Sequence, residues 1–113
     1  MMLKGIIFVV FVALSFNVAA VCSATSCSGK GKDVLLSIYP NGSGNVYLQA
    51  PADRANLNCV LIEGHYMTLK QSHPLFKEIY STLLTGIAAN KHMTIRIKTG
   101  SAGCEVSYVR MFV

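Results

Sequence analysis

Tryptophan is absent from the 113 residues, and acids are scarce, with five Asp and Glu against ten Lys and Arg for a formal charge of +5. Lack of tryptophan removes the ring best suited to stacking on a sugar face and leaves that work to the smaller aromatics. Proline occurs three times, at Pro40, Pro51 and Pro74, and each punctuates the hydrophobic pattern instead of interrupting it. No apolar run reaches the roughly 18 residues of a membrane-spanning helix, and no repeat, linker or second domain follows the first two dozen residues. The cysteines and histidines never fall at the short paired spacings of structural zinc. No metal, cofactor or catalytic motif is therefore expected.

The chain begins with Met1, Met2, Leu3 and Lys4, continues with an apolar run from Gly5 to Phe16, and then reaches small residues ending in Cys22-Ser23-Ala24. A cationic end, an apolar stretch and a small-residue exit make a secretory signal peptide. Residues 1–24 are predicted to be that leader, and the mature protein to be secreted or periplasmic with no membrane span. Two cuts satisfy the small-residue rule, one after Ala24 (with Cys22 and Ala24) and one after Ala20 (with Val18 and Ala20). The first leaves Cys27, Cys59 and Cys104; the second also keeps Cys22, which permits a local Cys22 to Cys27 bridge. Lipidation is disfavoured, because Cys22 follows Val21 and Cys27 lacks a leucine three positions before it. Either cut removes Lys4 and no acid, so the charge falls from +5 to +4. About 90 residues remain, one small domain whose core is marginal by size alone, in a compartment where disulfides persist.

Residues 25–33 are rich in Ser, Gly and Lys without periodicity and read as a flexible N-terminal arm; residues 34–113 read as the folded domain. Val34 to Tyr39 is a β-branched and aromatic run stopped by Pro40, and Val46 to Gln49 resumes it after Asn41-Gly42-Ser43-Gly44-Asn45. That is the signature of a hairpin, since Gly and Asn accept the positive φ of tight turns. Asn41-Gly42-Ser43 also fits the N-glycosylation pattern, although the turn accounts for these residues by itself. Pro51 to Asn58 is a polar loop, and Cys59 to Lys70 has strand composition with Gly64 as a bulge or bend. Ser72 offers an N-cap and Pro74 suits a first turn, after which Leu75, Ile79, Leu83 and Ile87 recur every fourth residue, widened by Phe76, Tyr80 and Leu84. This predicts a core-facing helix ending near Asn90. Met93, Ile95 and Ile97 alternate with Thr94, Arg96 and Lys98 as a half-buried strand. Gly100 to Gly103 is a turn, and Glu105 to Val113 a closing strand apolar enough for burial on much of both faces.

Three strands, one helix and two strands is the order of the OB fold, a five-stranded Greek-key barrel capped by its helix; an open α+β sheet is the alternative. The segments Tyr39-Pro40-Asn41-Gly42, Cys59, Ser72-His73-Pro74-Leu75-Phe76, Met93-Thr94-Ile95-Arg96-Ile97 and Cys104-Glu105-Val106-Ser107-Tyr108-Val109 resemble small exported bacterial proteins akin to the B subunit of subtilase cytotoxin and pertussis-like toxins. The likeness runs from Val34 to the end of the chain. It implies an OB barrel, a Cys59 to Cys104 disulfide, binding of glycans or a cell-surface receptor, and a homo-oligomer of five copies. Such a bridge would stabilise the fold by about 4 kcal/mol at most.

The side chains that carry chemistry have simpler explanations. His65, His73 and His92 suggest paired acid and base work, but His65 is placed in a strand, His73 at a helix start, and His92 near the negative end of a helix dipole. Arg96, Lys98 and Arg110, with Tyr47, Tyr66 and Tyr108, are what a nucleic-acid surface would use; export separates the protein from most nucleic acid, and none is expected as a partner. Tyr39, Tyr47 and Tyr66 are the ligand-binding candidates, selected by residue type as rings for sugars. The expected function is an exported binding domain without catalysis, recognising glycans or cell-surface ligands. The alternative is a stand-alone adaptor or inhibitor that binds protein through a sheet edge or barrel rim.

Overall fold

The computed structural model describes residues 21–113 together with Gly5. The predicted leader thus lies outside the described residues, apart from Gly5 and residues 21–24. The elements are β1 (Ser26–Lys30), a single helical turn α1 (Gly31–Val34), β2 (Ser37–Pro40), β3 (Val46–Gln49), a 3-10 turn (Arg54–Asn56), β4 (Tyr66–Leu69), the main helix α2 (Phe76–Ala88), β5 (His92–Ile97) and β6 (Val106–Met111). The strands form two three-stranded antiparallel sheets, ordered β1-β5-β6 and β2-β3-β4. The protein is mainly β with one main helix. In place of the single five-stranded barrel expected above, its six strands divide between two sheets, which touch through short parallel bridges at Val60–Ala102 and Thr68–Glu105.

The alternating strand β5 is as the pattern predicts: Met93, Ile95 and Ile97 are buried while Thr94 and Arg96 are only partly covered. Its buried face meets α2, where Gly86 lies directly against the Met93 thioether and Gly31 of α1 lies against the Gly86 carbonyl. Leu48, Met67, Leu69, Leu83 and Val106 belong to the same interior. On α2 the buried stripe is narrower than its sequence suggests, because Ile79 and Leu83 are buried while Leu84 is 44% exposed and Leu75, just before the helix, is 53% exposed. The helix ends as expected near Asn90, which adopts φ 50°. There Lys91 donates to the Gly86 carbonyl at 2.9 Å and Asn90 to the Ile87 carbonyl at 3.2 Å, the paired bonds of a Schellman ending.

Five segments differ from their sequence reading. The predicted arm is ordered: Ser26–Lys30 is a strand in register with β5, from Ser26 opposite Arg96 to Lys30 opposite His92. Its order comes from backbone pairing and from the buried Cys27, so its small polar side chains carry no periodic signal. Val34 ends α1, leaving β2 to begin at Ser37; Pro40 is accommodated because β2 is an edge strand, where a missing N–H is tolerated. Cys59 to Lys70 is mostly turn, with regular strand only at Tyr66–Leu69, because Glu63 and Gly64 take positive φ and reverse the chain. Helix α2 starts at Phe76, and it is the His73 imidazole, not Ser72, that accepts an N–H there, from Leu75 at 2.9 Å. Strand β6 buries one face only, with Val106 2% and Tyr108 47% exposed.

Two disulfides are present, Cys59–Cys104 and Cys22–Cys27, and no cysteine is free. Among the described residues no helix is long and apolar enough to cross a membrane.

Candidate aromatic binding face

Residues opposite one another in an antiparallel ladder share a face, as do residues two apart on one strand. Tyr39 is opposite Tyr47, and Gln49, two residues beyond Tyr47, is opposite Tyr66. All three tyrosines therefore project from the same side of the β2-β3-β4 sheet, away from the buried Val46, Leu48 and Ala50. Their ring centroids form a nearly equilateral triangle: Tyr39 to Tyr47 5.7 Å, Tyr39 to Tyr66 6.0 Å and Tyr47 to Tyr66 5.9 Å. Tyr39 is half exposed and the other two partly so. The residues selected by type are thus brought together on one surface.

The margins of this triangle are polar. Ser37 donates to the Gln49 side-chain carbonyl at 2.8 Å, and the His65 ring lies edge-on to Tyr66 at 6.1 Å. Arg54 donates through Nε to the Gly64 carbonyl at 2.9 Å and through Nη2 to His65 Nδ1 at 2.7 Å. A guanidinium has no lone pair to offer, so Nδ1 accepts and the neutral imidazole keeps its proton on Nε2. His65 lies in the turn before β4, not within a strand as its sequence context implies. Arg54 is the functional candidate that sequence reasoning missed, and its pairing with His65, weighed there only for acid and base work, was equally hidden, since the loop that folds one onto the other has no periodic pattern.

The other candidates are dispersed. His73 accepts from Leu75 through Nδ1 and donates through Nε2 to the Ser107 carbonyl at 2.8 Å, so both ring nitrogens are engaged in joining the start of α2 to β6. His92 begins β5 and stacks edge-on to Phe112 at 5.3 Å. No two of the three histidines share a partner. Arg96 and Tyr108 are register partners on the β1-β5-β6 sheet, where Arg110 lies 4.7 Å over the Phe112 ring. Tyr47 and Tyr66 belong to the other sheet, so of the three aromatic candidates for a nucleic-acid surface only Tyr108 stands beside the basic residues. Lys98 is drawn instead to Glu105, 3.5 Å away, which Lys70 also engages. Among the described residues no cluster of three or more His, Cys, Asp or Glu is placed to hold a metal.

A triangle of partly exposed phenol rings edged by hydrogen-bonding groups offers apolar contact and directional polar contact side by side, but no nucleophile paired with a base. The chain matches no family model, no curated protein and no solved structure.

Proposed function

We propose that this is an exported, non-catalytic binding domain that recognises carbohydrate through the face formed by Tyr39, Tyr47 and Tyr66. The observation that carries the reading is the convergence of three rings, each 5.7–6.0 Å from the others, from three different strands onto one surface. Sugars present apolar C–H faces ringed by hydroxyls, and tyrosines beside Gln49, Arg54 and His65 match both features.

The same proposal takes the fold as an OB barrel opened along one seam. In its support, β1 and β2 are consecutive segments separated by α1, each joining a different sheet. Counted as one bent strand they reduce six strands to the OB order, with α2 between the third and fourth. The parallel Thr68–Glu105 bridge then supplies the junction between the third and fifth strands. OB folds bind oligosaccharides and oligonucleotides on the face of strands two and three, which in this count are β3 and β4, the carriers of Tyr47 and Tyr66. The resemblance to toxin B subunits agrees in ligand class and adds a five-copy ring as the assembly to look for by light scattering.

The test is a glycan array on the mature protein, followed by titration of each hit using tyrosine emission. Three of the five tyrosines lie on the proposed face and no tryptophan overwhelms their signal. Tyr47, on the central strand of the sheet, is the residue to change: Tyr47→Ser is expected to weaken binding by about tenfold or more while leaving the fold intact. Folded protein that binds no glycan, or a Tyr47→Ser variant that binds as wild type does, would overturn the proposal.

A further inference from the structure

We propose that the export cut falls between Ala20 and Val21, and that the α-ammonium released at Val21 pairs with the Asp53 carboxylate. The proposal rests on the export reading and not on what the tyrosine face binds.

The first argument is how thoroughly residues 21–24 are built into the fold. Cys22 is 1% exposed and bonded to Cys27, itself 0% exposed. The Cys22 N–H donates to Asp53 Oδ2 at 2.9 Å, and its carbonyl accepts from the Asn56 amide at 3.1 Å. Val21 accepts from the Ser28 N–H at 2.7 Å, and Ala24 from the Asn58 N–H at 2.8 Å. A cut after Ala24 removes every one of these bonds and leaves Cys27 as a buried, unpaired thiol within the first strand. A cut after Ala20 keeps them all, and Val18 and Ala20 provide the small residues a leader peptidase reads.

The second argument is the state of Asp53. Its Oδ2 is satisfied by the Cys22 amide, whereas its Oδ1 is buried without a hydrogen-bond partner among the described residues. A buried carboxylate oxygen left unpaired is costly. Val21 and Asp53 line the same open groove of about 720 Å³, together with Asp33, Lys32 and His92. Within an uncut chain the Val21 nitrogen is a neutral amide with one hydrogen. Hydrolysis by the peptidase adds water across the Ala20–Val21 peptide bond: the C–N bond breaks, the leader departs with the Ala20 carboxylate, and the Val21 amine takes up a proton. The result is a cation with three donors, one residue from an amide already bonded to Asp53. Charge-assisted pairing there supplies what Oδ1 lacks.

Two measurements test this. Intact mass of the exported protein, before and after reduction, is expected to give residues 21–113 with two disulfides; a chain starting at Thr25 with one free thiol overturns the proposal and leaves export standing, whereas an uncut chain defeats both. The pairing is tested by acetylating the α-amino group of the mature protein and of its Asp53→Asn variant. Acetylation is expected to lower the folded-to-unfolded ratio about five-fold in the wild type and to change the variant little. Equal losses in both proteins, or none in the wild type, overturn the ion pair. The mass measurement decides the cut whether or not the variant folds.

Discussion

Thr68 and Glu105 meet where the two sheets touch, and they are in opposite states. Thr68 is 4% exposed and its N–H donates to the Cys104 carbonyl at 3.1 Å, yet its hydroxyl has no partner among the described residues. Valine has the same shape without the polar atom, so Thr68→Val is expected to raise stability by about 1 kcal/mol; a lower urea midpoint for the variant would contradict this. Glu105 is amply satisfied. A hydrogen bond from Lys70 foremost, then the charges of Lys70 and Lys98, hold its carboxyl below the usual range against the opposing effect of partial burial. Its folded value lies beneath its unfolded one, so its contribution is complete above the unfolded value and disappears as pH falls through the folded one. Glu105→Gln should therefore be less stable near neutrality, by under about 1 kcal/mol for so accessible a pair. The two melting curves should converge as the pH is taken below about 4. A gap that persists in acid would assign the loss to packing instead of charge.

At the scale of elements, legibility followed side-chain periodicity. Strand β5 and the body of α2 were readable because their apolar residues recur at the periods of the structures they form. The β2–β3 hairpin was readable from its turn, in which Gly44 takes φ 94° and the Asn41 side chain accepts from the Ser43 N–H at 2.6 Å. That turn also contained a missed signal: Tyr39 and Tyr47 are equidistant from it, and a hairpin register places them opposite each other. Tyr66 had no such marker, since its alignment depends on sixteen residues of loop between β3 and β4. Strand β1 was illegible because Ser26–Lys30 is held through its backbone. Alpha carbons packed closely are also invisible to periodicity. A Cβ on Gly31 would lie 2.6 Å from both the Gly86 carbonyl oxygen and the Ile87 Cα, atoms of helical backbone that cannot step aside. Gly31→Ala is expected to cost about 2 kcal/mol despite the better helix propensity of alanine. Gly42→Ala, with nothing within 4 Å of the added carbon, should change stability little. Equal unfolding midpoints for the two variants would show that α1 does not press on α2.

The whole molecule is a small fold whose sheets are joined by few ladder bonds, so its integrity depends on where the covalent links fall. Cys59–Cys104 spans 45 residues and ties the segment before β4 to the turn before β6, across the junction of the sheets. Cys22–Cys27 spans five and ties β1 to the residues just before it, which in turn bond Asp53 and Asn56. If both act by restricting the unfolded chain, the longer loop contributes about 4 kcal/mol and the shorter about 2. Alanine replacement suits the comparison, because Cys22, Cys27 and Cys104 are almost wholly buried and serine would strand hydroxyls there. The paired substitution Cys59→Ala with Cys104→Ala should thus lower the unfolding free energy more than Cys22→Ala with Cys27→Ala, as read from urea denaturation at matched pH. The tyrosine triangle adds a second readout, since all three rings stand on the β2-β3-β4 sheet. Loss of the short link should leave their emission unchanged in the folded state, because neither of its cysteines lies on that sheet. A greater loss from the short link would mean that β1 organises the fold and that entropy of the unfolded chain is not the governing quantity.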